Sequence, residues 1–328
     1  MQKLSNRRRT LETVRGHDFD FRKRFGQNFL IDESVLERIV EAAGVSREDA
    51  VIEIGPGIGT LTQYLAESAG SVTAIEIDHD LIPILEETLA DYDNVRIINQ
   101  DVLKVDLQAL ARECLGGKPS DAEAGADDSG AEAGLGKAGT AGADDRDMAA
   151  ATAEKSCSKL KIVANLPYYI TTPIIMGLFE KKVPAESITV MVQKEVADRM
   201  QASCGSRDYG ALSLAVQYYS SVHVALEVGP ECFMPRPKVD SAVIRMDILD
   251  EPAVKVSDET LLFNVIKAAF MQRRKTLVNS VGSAAAVPFG KDEVGKALDD
   301  LGQSRSIRGE AMSLKEYAQL VNCLKSQE

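Results

Sequence analysis

Val51-Ile52-Glu53-Ile54-Gly55-Pro56-Gly57-Ile58-Gly59-Thr60 reads as a buried strand that runs into a glycine-rich turn and opens a helix. The same alternation recurs downstream. Val72-Thr73-Ala74-Ile75 stops at Glu76, Val95-Arg96-Ile97-Ile98 stops near Asp101, Lys161-Ile162-Val163-Ala164 stops at Asn165, and Ile188-Thr189-Val190-Met191-Val192 follows. Apolar residues at helical spacing fill the gaps, as over 61–69 and 81–89. Strands alternating with helices predict an α/β fold, an open and mostly parallel sheet with helices on both faces. Two later extended segments, 222–228 and 242–248, flank the turn-rich Phe233-Met234-Pro235-Arg236-Pro237 and predict an antiparallel hairpin closing the sheet. Beyond Glu251-Pro252 the pattern is helical to Glu328. The expected organisation is a basic tail over 1–24, a sheet domain over 25–249 and a small all-α domain over 250–328.

A chain of 328 residues is about two domains long. Its 45% apolar and 27% charged content is that of an ordinary globular protein. No apolar run approaches the roughly 20 residues that a bilayer span needs. The charged start has no apolar segment behind it, so no membrane span and no secretory leader are expected. Five scattered cysteines (Cys114, Cys157, Cys204, Cys232, Cys323) form no CxxC pair, and the three histidines lack partners at ligand spacing. That predicts a reducing cytoplasm, no disulfide framework and no metal.

The net charge of −12 argues, as a mean, against a nucleic-acid partner, but the charge is unevenly placed. Over 116–156, 12 Ala and 8 Gly accompany nine acids and four bases, with Leu135 and Met148 the only large apolar residues. Such a segment cannot offset its ordering entropy and is expected to be a disordered acidic insertion. The first 24 residues instead carry eight bases against three acids, including Arg22-Lys23-Arg24. A second basic cluster, Arg273-Arg274-Lys275, lies in the C-terminal third. These two clusters are the expected RNA contacts.

Ligands of such sheets bind beyond the carboxyl ends of the strands. Gly55, Gly57 and Gly59 let backbone approach a ligand closely, while Thr60 at the sixth place and Pro56 weaken a nicotinamide reading. Glu76, 21 residues after Gly55, suits both hydroxyls of a ribose. Asp101, at the next strand end, suits an adenine amino group. At Asn165-Leu166-Pro167-Tyr168, the Asn165 side-chain oxygen and the Leu166 carbonyl can both accept from an exocyclic purine amine, turning its lone pair toward an electrophile. Tyr168 offers an aromatic face to the extruded base.

These motifs, with Gln27-Asn28-Phe29-Leu30 and with Phe233-Met234-Pro235-Arg236-Pro237 followed by Val239-Asp240-Ser241-Ala242, make the chain similar to the rRNA adenine N6-dimethyltransferase family. Phe270-Met271-Gln272-Arg273-Arg274-Lys275-Thr276-Leu277 and Arg308-Gly309-Glu310 resemble its small-subunit (16S-type) members. The likeness covers about residues 22–320 apart from the insertion. It implies a Rossmann-like S-adenosylmethionine-dependent methyltransferase sheet with a small helical RNA-contacting domain. S-adenosyl-L-methionine is the implied methyl donor, with no metal. The implied target is a pair of adjacent adenosines near the 3′ end of small-subunit rRNA, dimethylated in the assembling 30S-type subunit. A cytoplasmic monomer without an obligate protein partner is expected. By the same resemblance Asn28 and Leu30 border the donor's methionine end, and Gly55 and Gly57 form its glycine turn. Glu76 holds its ribose, Asp101 its adenine, and Asn165 lies between donor and target. Tyr168 and Phe233 then sandwich the target base. The chain departs from the family pattern at Cys204, where proline is usual, and at Ala211, where a basic residue is usual.

Three other readings share these features. A large-subunit rRNA adenine dimethyltransferase has the same strand-end motifs, but the helical C-terminal third with Gln272-Arg273-Arg274-Lys275 argues against it. A DNA adenine methyltransferase usually carries an acid where Asn165 stands. A non-catalytic assembly or transcription factor would not need Gly55, Glu76, Asp101 and Asn165 together.

Overall fold

The structure, a computed structural model, describes residues 3–5, 7–17, 28–116 and 157–327. Arg22, Lys23 and Arg24 lie outside the described residues, as does the insertion apart from Gly116. The first elements are α1 (Arg7–Gly16), β1 (Phe29–Leu30), α2 (Glu33–Ala43), β2 (Asp49–Ile54), α3 (Thr60–Ser68) and β3 (Ser71–Glu76). Then come α4 (Ile82–Thr88), β4 (Val95–Asn99), α5 (Leu107–Cys114), β5 (Lys159–Asn165), α6 (Thr171–Glu180), β6 (Ser187–Gln193), α7 (Lys194–Gln201) and α8 (Ala211–Tyr219). Strands β7 (Ser220–Val228), β8 (Phe233–Met234) and β9 (Ser241–Ile248) complete the sheet region.

Seven strands form one sheet in the order β4-β3-β2-β5-β6-β9-β7. The first five are parallel, and β9 runs antiparallel to both β6 and β7. Alternate residues of β2 face opposite ways. Ala50, Ile52 and Ile54 pack with α5 and α6, whereas Val51 packs with α2 and α3. Burial on both faces is why the strand reads as a nearly unbroken apolar run. It also sets Glu53, on the face of Val51, as a carboxyl inside the core.

The remaining helices, α9 (Glu259–Met271), α10 (Leu277–Val281), α11 (Lys291–Asp300) and α12 (Leu314–Lys325), enclose a separate core around Val265, Leu277, Leu298 and Leu320. Tyr209, Leu214 and Tyr218 reach into that core from the sheet side. The hydroxyls of Tyr219 and Tyr218 donate to the Glu259 carboxylate at 2.7 and 3.4 Å. The helices therefore seat on α8 rather than on the sheet. No helix among the described residues is long and apolar enough to cross a membrane.

The N-terminal residues differ from the expected tail. Leu4 is buried with Ile58, Leu81 and Ile84, and its N–H donates to Gln63 Oε1 at 3.1 Å. The Thr10 hydroxyl donates back to the Leu4 carbonyl at 3.0 Å. Lys3 pairs with Glu67 at 2.9 Å and lies 3.9 Å above the Tyr64 ring. A count of charges cannot see this docking, because one leucine and one satisfied glutamine carry it.

Candidate active site

Four parallel strands deliver their carboxyl ends to one side of the sheet, where a cavity open to solvent lies between them and the β1 strand. Asn28, Leu30, Gly55, Gly57, Glu76 and Asp101 all line it. So do Asn165, Leu166 and Tyr168.

The glycine turn is packed closely against β1. Gly57 has φ of +62°, a conformation that side chains disfavour. A Cβ there would stand 2.9 Å from the Phe29 ring. At Gly55, φ is +72° and a Cβ would lie 3.8 Å from the Asn165 backbone carbonyl, so the glycine turn and the end of β5 lie side by side, as the pairing of Ile54 with Ala164 requires. The Asn165 amide nitrogen donates to the Asn28 carbonyl at 3.3 Å, which leaves its Oδ1 as the acceptor. The Ile170 N–H closes the loop on the Pro167 carbonyl at 3.1 Å, and the Thr171 hydroxyl adds a bond to the same oxygen at 3.3 Å. Tyr168 is half-buried, its hydroxyl 2.8 Å from Ser241 Oγ at the start of β9.

Glu76 ties β3 to the turn. One carboxylate oxygen accepts from the Gly57 N–H at 3.2 Å and the other from the Asp78 N–H at 2.8 Å. Each oxygen keeps a lone pair for a ligand hydroxyl. Burial pushes the Glu76 carboxyl up to about 7, against the opposing pull of those two N–H groups. Asp101 holds the Leu103 N–H at 3.0 Å through one oxygen.

Two expected residues sit elsewhere. Phe233 is 4% exposed and its backbone pairs with Leu30, so its ring belongs to the core and lines no part of the cavity. A short ladder between β1 and β8 holds Phe233 there, whereas the resemblance implies a place for its ring opposite Tyr168. In the basic cluster Arg273 turns back on the protein, donating to the Arg207 and Tyr209 carbonyls at 2.9 and 3.2 Å and lying 3.6 Å from Glu310. Arg274 and Lys275 are exposed.

Sequence reasoning missed Glu53. It lines the cavity at 1% exposure, and its Oε2 has no hydrogen-bond partner among the described residues; neither does the buried Thr60 hydroxyl beside the same cavity. The available signal was a carboxylate within an otherwise apolar strand. Burial, reinforced by the Glu76 charge, pushes the Glu53 carboxyl up to about 8. The folded chain thus keeps a proton that the unfolded chain releases near 4.5, so stability is full below that pH and declines as pH rises toward 8. Glu53→Gln should leave Tm unchanged at pH 5 and raise it by about 5 °C at pH 8 in calorimetry without ligand. A pH-independent difference would contradict this.

The pattern of the family described as ribosomal RNA adenine dimethylase matches residues 18–296. The chain is 49% identical over 325 residues to ribosomal RNA small subunit methyltransferase A of Lachnoclostridium phytofermentans, covering 99% of this chain and 98% of that one. It is 45% identical to the protein of the same name from Streptococcus pneumoniae, with 97% of each covered. Among solved structures, a dimethyladenosine transferase from Plasmodium falciparum superposes with a TM-score of 0.64 at 23% identity, covering 89% of this chain and 95% of the other. The 23S rRNA methyltransferase ErmE gives 0.58 at 23% identity, covering 91% and 100%. These two likenesses speak to the fold.

Proposed function

The chain belongs to the ribosomal RNA adenine dimethylase family, and from that premise we propose that it dimethylates N6 of two adjacent adenosines near the 3′ end of small-subunit rRNA. The methyl donor is S-adenosyl-L-methionine, and the setting is the assembling subunit in the cytoplasm. The observation that supports this reading is the meeting of the glycine turn and Asn165 at one cavity, which Gly55, Gly57, Glu76, Asp101 and Asn165 all line.

The cavity fits such a donor. A doubly braced buried carboxyl at Glu76 and an orphaned Glu53 oxygen beside the same cavity suit a nucleoside with ribose hydroxyls. Asn28, Leu30, Gly55, Gly57, Glu76 and Asp101 would hold it. When bound, S-adenosylmethionine supplies a methyl group made electrophilic by its charged sulfur. Asn165 Oδ1 and the Leu166 carbonyl accept hydrogen bonds from the target amine and hold its lone pair toward the cavity. Tyr168 stacks on the extruded base and offsets its unstacking. Catalysis on this account is positioning, and the proton leaves to water from the acidic methylated amine.

Labelled donor and small subunits from cells lacking these methyl groups test the proposal. Label should enter the 3′ region of their rRNA and not that of mature, already methylated subunits; equal labelling of both, or of neither, would overturn it. Arg274 and Lys275 are assigned to rRNA phosphates. Reversing both charges should flatten the dependence of log affinity on log salt by about two units. An unchanged slope would leave them as a solvated face.

A further inference from the structure

Among the described residues, three aromatic side chains line the cavity: Phe29, Tyr168 and Tyr169. Phe29 is buried against Gly57, and Tyr168 is anchored on Ser241. Tyr169 differs from both, at 59% exposed. Its hydroxyl has no hydrogen-bond partner among the described residues. Its backbone is nonetheless fixed, because it lies inside the Pro167–Ile170 turn that the Ile170 N–H and the Thr171 hydroxyl both close on one carbonyl. The ring is therefore presented at the cavity rim on a rigid support. With Phe233 withdrawn into the core, Tyr169 is the free aromatic face beside Tyr168.

We infer that Tyr169 is a positioning residue that stacks on the rRNA base adjoining the target adenosine. This deepens the reading above and rests on it. The substrate presents two adjacent purines, and two consecutive residues of one turn project one ring into the cavity and the next at its rim. An unpaired strand splayed over this loop would place the target base on Tyr168 and its neighbour on Tyr169. Aromatic faces are the usual seats for unstacked RNA bases.

The test compares full-length wild type, Tyr169→Ala and Tyr169→Phe on undermethylated small subunits, with donor affinity measured separately by calorimetry. Tyr169→Ala should raise KM for subunits about tenfold, the size expected for one lost base–aromatic stack, without a matching change in donor Kd. Tyr169→Phe, which keeps the face, should restore KM. Tyr169→Ala with a wild-type KM would overturn the inference alone. So would Tyr169→Phe performing as poorly as alanine, since the hydroxyl would then be the important group. Wild-type protein that transfers no methyl group would instead overturn the function itself, and this inference with it.

Discussion

Asn165→Ala is expected to lower methyl transfer to small-subunit rRNA about a thousandfold, the scale seen when one preorganised hydrogen-bonding group is removed from a reacting centre. Donor binding should persist, because the glycine turn, Glu76 and Asp101 are untouched. The size of the loss follows from the geometry. The carboxamide is held on the Asn28 carbonyl at 3.3 Å, so its oxygen is aimed before the base arrives. Alanine removes both the anchor and the acceptor. Single-turnover transfer and calorimetric donor binding, measured on the same preparation, separate the two effects. Retained turnover would refute the role assigned to Asn165, and lost donor binding would make it a donor ligand first.

Glu76→Ala is expected to act the other way, weakening the donor about a hundredfold through two lost charge-assisted hydrogen bonds. It also releases the Gly57 and Asp78 N–H groups, so Glu76→Gln serves as the milder companion. The wild type carries a pH signature of the same group. With its carboxyl pushed up to about 7, Glu76 is mostly protonated at pH 6 and mostly ionised at pH 8. Donor affinity should therefore weaken about tenfold from pH 8 to pH 6, with proton release on binding below pH 7. Calorimetry in buffers of different ionisation enthalpy reads that proton directly. A pH-independent affinity in the wild type would remove Glu76 from the donor site.

The sheet was legible because its central strands, buried on both faces, are written as apolar runs, each stopped by a glycine or a polar residue. Parallel topology then gathers the residues at those stops. Gly55, Glu76, Asp101 and Asn165, each at such a stop, thus line one cavity. What escaped has no period to read. The ladder between β1 and β8 is two residues long and joins Leu30 to Phe233, so nothing local announces that it pulls the phenylalanine ring inward. The docking of Leu4 beside Ile58 depends on a hole formed by distant helices. Arg273 looks like its neighbours in sequence, yet two carbonyls of the 207–209 loop claim its guanidinium. Glu53 was readable as an oddity, a charge in an apolar strand, but its meaning needed the cavity beside it.

On the proposed mechanism, the loop after β5 holds an adenosine amine of small-subunit rRNA against a methyl donor seated on the glycine turn. Mass spectrometric mapping of the rRNA 3′ end tests it most directly, in cells lacking this protein and supplied with either the wild-type or the Asn165→Ala chain. The account predicts two neighbouring N6,N6-dimethyladenosines with the wild type and unmodified adenosines with the variant. Dimethylation restored equally by both chains would contradict it.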